Sequence, residues 1–184
     1  IERHLHLISV SPSGHPLKDI NEEITFAAMV PMQVYNTLQV PEERERLTHI
    51  RHLIIGGGAI DASLEKELRS LPGNIAIWST YGMTETLSHI ALRRINGAEA
   101  SEWYQPFDSV KISQTDEGCL IIDAPQVCAE TLVTNDIVEI ESYIYNKVEN
   151  HEEEIKYRFR IKGRKDNVIC SGGIKIQIEE VEAL

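Results

Sequence analysis

Three short apolar runs, ITFAAMVP at 24–31, HLII at 52–55 and IAIWS at 75–79, are each followed by a turn and then by a stretch of different pattern. Runs of this length, rich in Ile and Val or Ala and bounded by turn residues, read as buried strands. Pro31 suits the first turn of a helix through MQVYNTLQ, where its missing N–H is no loss. EERERL at 42–47 reads as a solvated helix or loop. Asp61 can cap a helix whose Leu64, Leu68 and Leu71 share one face, with Pro72 and Gly73 stopping it. LHLISV at 5–10 is a further strand candidate, and the loop YGMTE leads into an expected helix through TLSHIALRR. Repeated strand, loop and helix units point to an α/β fold, a parallel sheet covered by helices.

From about residue 106 the pattern changes. SVKIS and CLIID flank the turn TDEG at 115–118, and DIVEIESYIY and IKYRFRIK follow, separated by the acidic ENHEEE. The last run alternates, with Ile155, Tyr157, Phe159 and Ile161 on one face and Lys156, Arg158, Arg160 and Lys162 on the other. Period two predicts a half-buried antiparallel strand whose basic face is solvated. The expectation is a small antiparallel β unit after the α/β unit.

Composition narrows the function classes. The 184 residues are 42% hydrophobic and 26% charged, enough for one ordinary domain, or one domain and part of another. A formal net charge of −11 argues against nucleic acid as a partner. No apolar run approaches the roughly 18 residues of a membrane helix. Cys119, Cys128 and Cys170 form no CxxC pair, and an odd number makes no closed disulfide set, so a reducing, cytoplasmic setting is expected. The seven histidines show no HExxH or paired Cys/His spacing, so no zinc site is expected. The opening on Ile1 and the closing IEEVEAL suggest a piece of a longer protein.

Four segments could carry chemistry. Gly56-Gly57-Gly58-Ala59 ends a strand before a helix, where backbone N–H groups and a flat ligand can approach closely; it fails GxGxxG, and the alternative is a tight turn without a ligand. In Tyr81-Gly82-Met83-Thr84-Glu85 an aromatic ring can stack on a base, a hydroxyl can donate to phosphate and a carboxylate can hold Mg²⁺; the alternative is a helix cap with a dipole-complementing Glu. Asp136 of Thr134-Asn135-Asp136 can accept from both hydroxyls of a ribose. Gly163-Arg164-Lys165-Asp166 precedes VICSGGIKIQ, two short strands around Ser171-Gly172-Gly173. Taken singly, these last two read as a turn Asp, an exposed Arg and a hairpin.

Together and in this order, GGGA at 56–59, YGMTE at 81–85, TND at 134–136 and GRKDNVICSGG at 163–173, with the closing Glu180-Val181-Glu182, resemble the adenylate-forming superfamily of acyl- and aryl-CoA ligases. The resemblance covers essentially the whole chain. It implies an α/β subdomain over 1–105, an antiparallel β subdomain over 106–163, and a hinge with the start of a C-terminal lid over 164–184. It implies that Gly57, Gly58 and Ala59 line the adenine and acyl pocket, with Gly82 also in the nucleotide site. Tyr81 would lie against adenine, Thr84 would bind the α-phosphate and Glu85 would hold Mg²⁺. Asp136 would grip the ribose, and Arg164 would bond ribose and phosphate. Asp166 would be the hinge, and Ser171, Gly172 and Gly173 would line the CoA channel. ATP, Mg²⁺ and CoA are the implied co-substrates and metal.

Asn135 replaces the usual glycine, and Asn tolerates left-handed backbone. Ile161 stands where an aromatic often touches the nucleoside, and Ile178 replaces a common proline. The superfamily's phosphate loop would lie upstream of Ile1 and its catalytic lysine beyond Leu184, so the isolated chain is expected to be inactive. TFAAMVPMQVYNTL, LIIGGGAID, YGMTETLSHIA and the abbreviated SGG turn further resemble the o-succinylbenzoate–CoA ligase family of menaquinone biosynthesis. Ser88 and His89 could then face the acyl pocket, or be ordinary helix-surface residues. Partners are expected to be small molecules, an aryl acid with ATP and CoA, without nucleic acid or membrane. Edge strands leave a homodimer open. Three other readings stay open: a ligase for another aryl or fatty acid, a non-catalytic nucleotide-binding module, and a structural module with no ligand.

Overall fold

The structure, a computed structural model, describes residues 6–146, 153–166, 168–171 and 174–177. The chain divides into two compact units, Ile1–Ser79 with Arg94–Ala100, and Thr80–Arg93 with Ser101–Leu184.

The first unit is built on three parallel strands, β1 (Phe26–Met29), β2 (His52–Ile55) and β3 (Ala76–Gly82), whose last three residues belong to the second unit. Ala27 pairs with Leu53, and Leu53 in turn with Ile77. Helices α1 (Pro31–Gln39), α2 (Pro41–Thr48) and α3 (Ala62–Arg69) connect the strands. Proline opens both α1 and α2, where its fixed φ suits the first turn. Asp61 caps α3, its Oδ1 accepting from the N–H groups of Ser63 and Leu64, both at 2.9 Å. These bonds, with one from the Ser63 hydroxyl, hold its carboxyl below the ordinary range. Leu53, Ile55 and Ile77 from the strands bury against Val34, Leu38, Leu47, Leu64 and Leu68 from the helices. Asn96, itself buried, donates to Ile75 O at 2.9 Å and accepts from Ile77 N at 3.0 Å, so a side-chain amide satisfies backbone groups at and just before the start of β3.

The expected strand at 5–10 is absent over the described residues 6–10. Leu7 is 85% exposed there, and among the described residues no strand pairs with this run.

The second unit holds all but the last residue of β4 (His89–Arg94), which pairs antiparallel with β5 (Gln105–Pro106). A four-stranded antiparallel sheet follows in the order β6 (Lys111–Gln114), β7 (Cys119–Asp123), β8 (Leu132–Asn146) and β9 (Glu153–Arg164). Tyr81, Ile90, Tyr104, Leu120, Ile122, Val138 and Phe159 form its core. Tyr104 and Phe159 exchange both backbone hydrogen bonds, at 2.7 and 3.1 Å. The last described element is an antiparallel hairpin of β10 (Val168–Ser171) and β11 (Ile174–Gln177). Gly172, Gly173 and the closing Glu180-Val181-Glu182 lie outside the described residues.

Two expectations are corrected here. TLSHIALRR is not a helix: Thr84–Thr86 makes a single 3₁₀ turn, and β4 follows. Leu87, at φ 60°, breaks any helix, and Ile90 accepts the Phe107 N–H at 3.0 Å as part of a strand ladder. The second concerns the faces of β9. Phe159 is fully buried, but Ile155 and Tyr157 on the same face are 67% and 54% exposed. The basic face is partly covered rather than solvated, with Lys156, Arg158 and Arg160 half-buried and Lys162 exposed. Arg158 and Arg160 lie over the Trp103 ring at 5.2 and 5.0 Å, and pair with Glu141 and Glu139 of β8. Lys156 reaches Asp108 at 2.8 Å. Among the described residues, no helix is long and apolar enough to cross a membrane.

Candidate functional site

In the first unit the glycine run forms the loop after β2. Gly56 donates to Met29 O at 3.1 Å, continuing the β1–β2 ladder by one bond. Gly57 has φ +78°, and a Cβ there would stand 3.3 Å from Val30 Cγ1, so both backbone and space favour glycine. Gly57, Gly58 and Ala59 are exposed.

The other motif residues belong to the second unit. Tyr81 is 8% exposed, its ring edge-on to Tyr104 and Phe159 at 5.9 and 5.1 Å. Its hydroxyl donates to Asp136 Oδ2 at 2.5 Å. Burial, with the Asp136 carboxylate beside it, pushes the phenol far above its ordinary pKa, so Tyr81 remains a neutral donor. Asp136 is 9% exposed and oriented by Thr134, whose hydroxyl accepts the Asp136 N–H at 3.1 Å. Arg164 stands opposite Asp136 in the β8–β9 register, and its Nη1 donates to Asp136 Oδ1 at 3.2 Å. The same guanidinium grips Asp166 in a two-pronged pair, Nε to Oδ1 at 3.0 Å and Nη2 to Oδ2 at 3.1 Å. This pairing holds the Asp166 carboxyl below its ordinary pKa and the guanidinium above its own. Lys165 N donates to Asn135 O at 2.7 Å. Among the described residues Leu87 alone is a non-glycine with positive φ, so Asn135 needs no left-handed backbone.

Each Asp136 oxygen thus accepts one bond and has a second lone pair to offer. A carboxylate fixed in this way, with a cation beside it, is suited to accept from two neighbouring hydroxyls.

Gly82 follows Tyr81 for a steric reason: a Cβ there would stand 2.4 Å from Ser88 O and 2.6 Å from His89 Cα. The returning chain therefore lies directly on the glycine. Thr84 and Glu85 sit on the 3₁₀ turn between, both exposed, and neither side chain meets a hydrogen-bond partner among the described residues. Ser88 Oγ is 3.2 Å from His89 Nδ1, and the His89 ring lies edge-on to Phe107 at 5.5 Å.

The structure therefore brings Tyr81, Asp136, Arg164 and Asp166 into one hydrogen-bonded chain. The sequence reading did not connect Tyr104 and Phe159 with the site, although their rings pack against Tyr81 and Phe159 already stood out on the apolar face of its strand. It also passed over Thr86, whose hydroxyl, directly after the motif, bonds Met83 and Ser88. Clefts of about 650 Å³ along residues 8–22 and about 430 Å³ around His15 and Glu43 include no motif residue. Among the described residues, no three His, Cys, Asp or Glu are grouped to hold a metal by themselves.

The sequence model of the AMP-binding enzyme family matches residues 5–124. Among solved structures, an acyl-CoA synthetase (AMP-forming)/AMP-acid ligase II-like protein from Dyadobacter fermentans is 31% identical, with a TM-score of 0.70. The match covers 95% of this chain and 45% of that protein, so the chain spans less than half of its relative. The o-succinylbenzoate CoA synthetase of Bacillus subtilis, solved with AMP, is 22% identical with a TM-score of 0.56, over 88% of this chain and 35% of that one. An anthranilate CoA ligase solved with anthranoyl-AMP is 17% identical with a TM-score of 0.57, over 86% and 33%. At these last two identities the likeness is one of fold. No curated protein sequence matches the chain.

Proposed function

The chain belongs to the AMP-binding enzyme family, and from that premise we propose that it carries the nucleotide-holding half of an acid–CoA ligase working through an acyl-adenylate, with o-succinylbenzoate as the acid. The observation that carries this reading is the Tyr81–Asp136–Arg164–Asp166 chain of hydrogen bonds, in the same unit as an exposed turn whose hydroxyl and carboxylate meet no partner among the described residues.

In this reading Asp136 accepts from the two ribose hydroxyls, and Tyr81 works mainly by orienting Asp136, with only its exposed edge toward adenine. Gly57, Gly58 and Ala59 are the proposed lining for the base and the acyl group on the motif resemblance alone. The Thr84 hydroxyl donates to the α-phosphate, and Arg164 lends positive charge to ribose and phosphate. Glu85 fits a magnesium ion, because its carboxylate is exposed and uncommitted and Mg²⁺ is commonly held by one or two carboxylates with substrate phosphates and water. When bound there, the ion neutralises charge on the phosphates.

The acid's carboxylate attacks the α-phosphorus of ATP, forming the acyl–AMP anhydride and releasing pyrophosphate. The thiol of CoA then attacks the acyl carbon and AMP leaves. This chain's residues supply positioning and charge stabilisation in the first step, with no covalent intermediate on the protein. Asp166 is the proposed hinge between the two steps, and Ser171, Gly172 and Gly173 the proposed CoA channel. Ser88 and His89, on the return from the turn, are the proposed contacts of the acid. The choice of o-succinylbenzoate, and with it a cytoplasmic role in menaquinone biosynthesis, is supported by TFAAMVPMQVYNTL and YGMTETLSHIA, not by the fold, which the anthranilate ligase shares.

The test is acid-dependent ATP–pyrophosphate exchange by the whole protein, with o-succinylbenzoate beside benzoate, coumarate and medium-chain fatty acids. Exchange is expected chiefly with o-succinylbenzoate, falling about a hundred- to a thousand-fold in Glu85→Ala. Exchange with another acid would replace the acid and keep the reaction. None with any acid would favour a non-catalytic nucleotide-binding module.

A further inference from the structure

Leu87 is held in a conformation that its own side chain does nothing to stabilise. Its φ of 60° and ψ of −39°, with Ser88 N donating to Thr86 O at 2.6 Å, make it the centre of a γ-turn of the rare and strained hand. The Leu87 side chain is 79% exposed, so burial offers no compensation. The compensation comes from Thr86, which is fully buried. Its hydroxyl accepts the Met83 N–H at 3.0 Å and lies 2.7 Å from Ser88 O and 3.0 Å from Met83 O, one of which takes its proton. One hydroxyl thus ties the residue before the 3₁₀ turn to the residue after the γ-turn. Gly82 completes the arrangement, since its bare Cα lets Ser88 O lie against the backbone of β3. Between the tied ends stand Thr84 and Glu85, pointing to no protein partner among the described residues.

We propose that Thr86 is a positioning residue: its hydroxyl clasp sets the Thr84 hydroxyl and the Glu85 carboxylate before nucleotide arrives, so that phosphate binding costs no loop ordering. The inference rests on the reading above that Thr84 meets the α-phosphate. It carries a specific consequence, because the clasp acts on the phosphate end of the ligand and not on the ribose held by Asp136.

Thr86→Val keeps the branched shape and removes the hydroxyl, whereas Thr86→Ser keeps the hydroxyl. The affinities of the chain for AMP and for adenosine, measured by titration, provide one readout. The expected result is about ten-fold weaker AMP binding in Thr86→Val, with adenosine binding within about two-fold of wild type and AMP binding recovered in Thr86→Ser. Equal losses for both ligands, or unchanged AMP affinity, would overturn the proposal. A second readout needs no ligand: amide hydrogen exchange at Met83 and Leu87 is expected to quicken about ten-fold or more in Thr86→Val and to stay at the wild-type rate in Thr86→Ser. Unchanged exchange in Thr86→Val would overturn the clasp even where the wild-type chain binds neither ligand, an outcome that would separately reject the nucleotide reading.

Discussion

At the scale of single residues, Tyr81 joins the core to the site. Its ring is packed by Tyr104 and Phe159, while its hydroxyl ends on Asp136. Removing the hydroxyl leaves a buried carboxylate short of a donor, which costs about 1–3 kcal/mol. Tyr81→Phe should lower the stability measured by urea unfolding by that amount. The pH dependence has a defined sign. The folded chain keeps the phenol proton above the ordinary value of 10.0, where the unfolded chain releases it. Stability from this group is therefore complete below about pH 10 and declines as the pH rises past it. That alkaline slope should flatten in Tyr81→Phe; an equal slope in both proteins would contradict the assignment. The sequence made Tyr81 and Asp136 legible as members of two motifs. Their bond to each other was not legible, because 55 residues separate them and no local pattern encodes a tertiary contact.

At the scale of elements, the runs at 24–31, 52–55 and 75–79 form strands, the run at 5–10 does not over its described residues, and the helix expected through TLSHIALRR failed where tertiary contacts overrode local preference. TLSHIALRR is rich in helix formers, yet forms a turn and a strand. Nothing local announces that Leu87 will take a left-handed backbone, a conformation that costs about 1–3 kcal/mol and needs surrounding bonds to hold it. The alternation in β9 was read correctly as period two, but the basic face expected to be solvated is half-buried, and of the apolar face only Phe159 is buried. Trp103, 55 residues before Arg158, covers the guanidinium groups that composition alone assigns to solvent. Trp103→Ala should therefore destabilise the chain by about 1–2 kcal/mol, the sum of two partly exposed cation–π contacts. Equilibrium unfolding measures it, and a change below about 0.3 kcal/mol would mean that the Glu139 and Glu141 pairs hold β9 without the ring.

At the scale of the whole molecule, the fold class was legible because motif order and strand–helix alternation agreed, and each limits the other. The grouping of the site was only partly so. The glycine run at 56–59 falls in one compact unit, while Tyr81, Thr84, Glu85, Asp136 and Arg164 fall in the other, a division that no composition shift in the sequence marks at residue 80. The chain also spans 45% of the Dyadobacter protein it matches, so the proposed ligase activity belongs to the whole protein, while nucleotide binding is a property that this chain can be asked for by itself. The most direct measurement is an NMR titration of the chain with AMP, mapped residue by residue and repeated with Asp136→Asn, which keeps an acceptor for Tyr81 and removes the charge. Saturable shifts are expected centred on residues 81–87, 134–136 and 163–166, with affinity about ten-fold weaker in the variant. Saturable shifts confined to other residues, or an AMP affinity that Asp136→Asn leaves unchanged, would contradict the proposed nucleotide site.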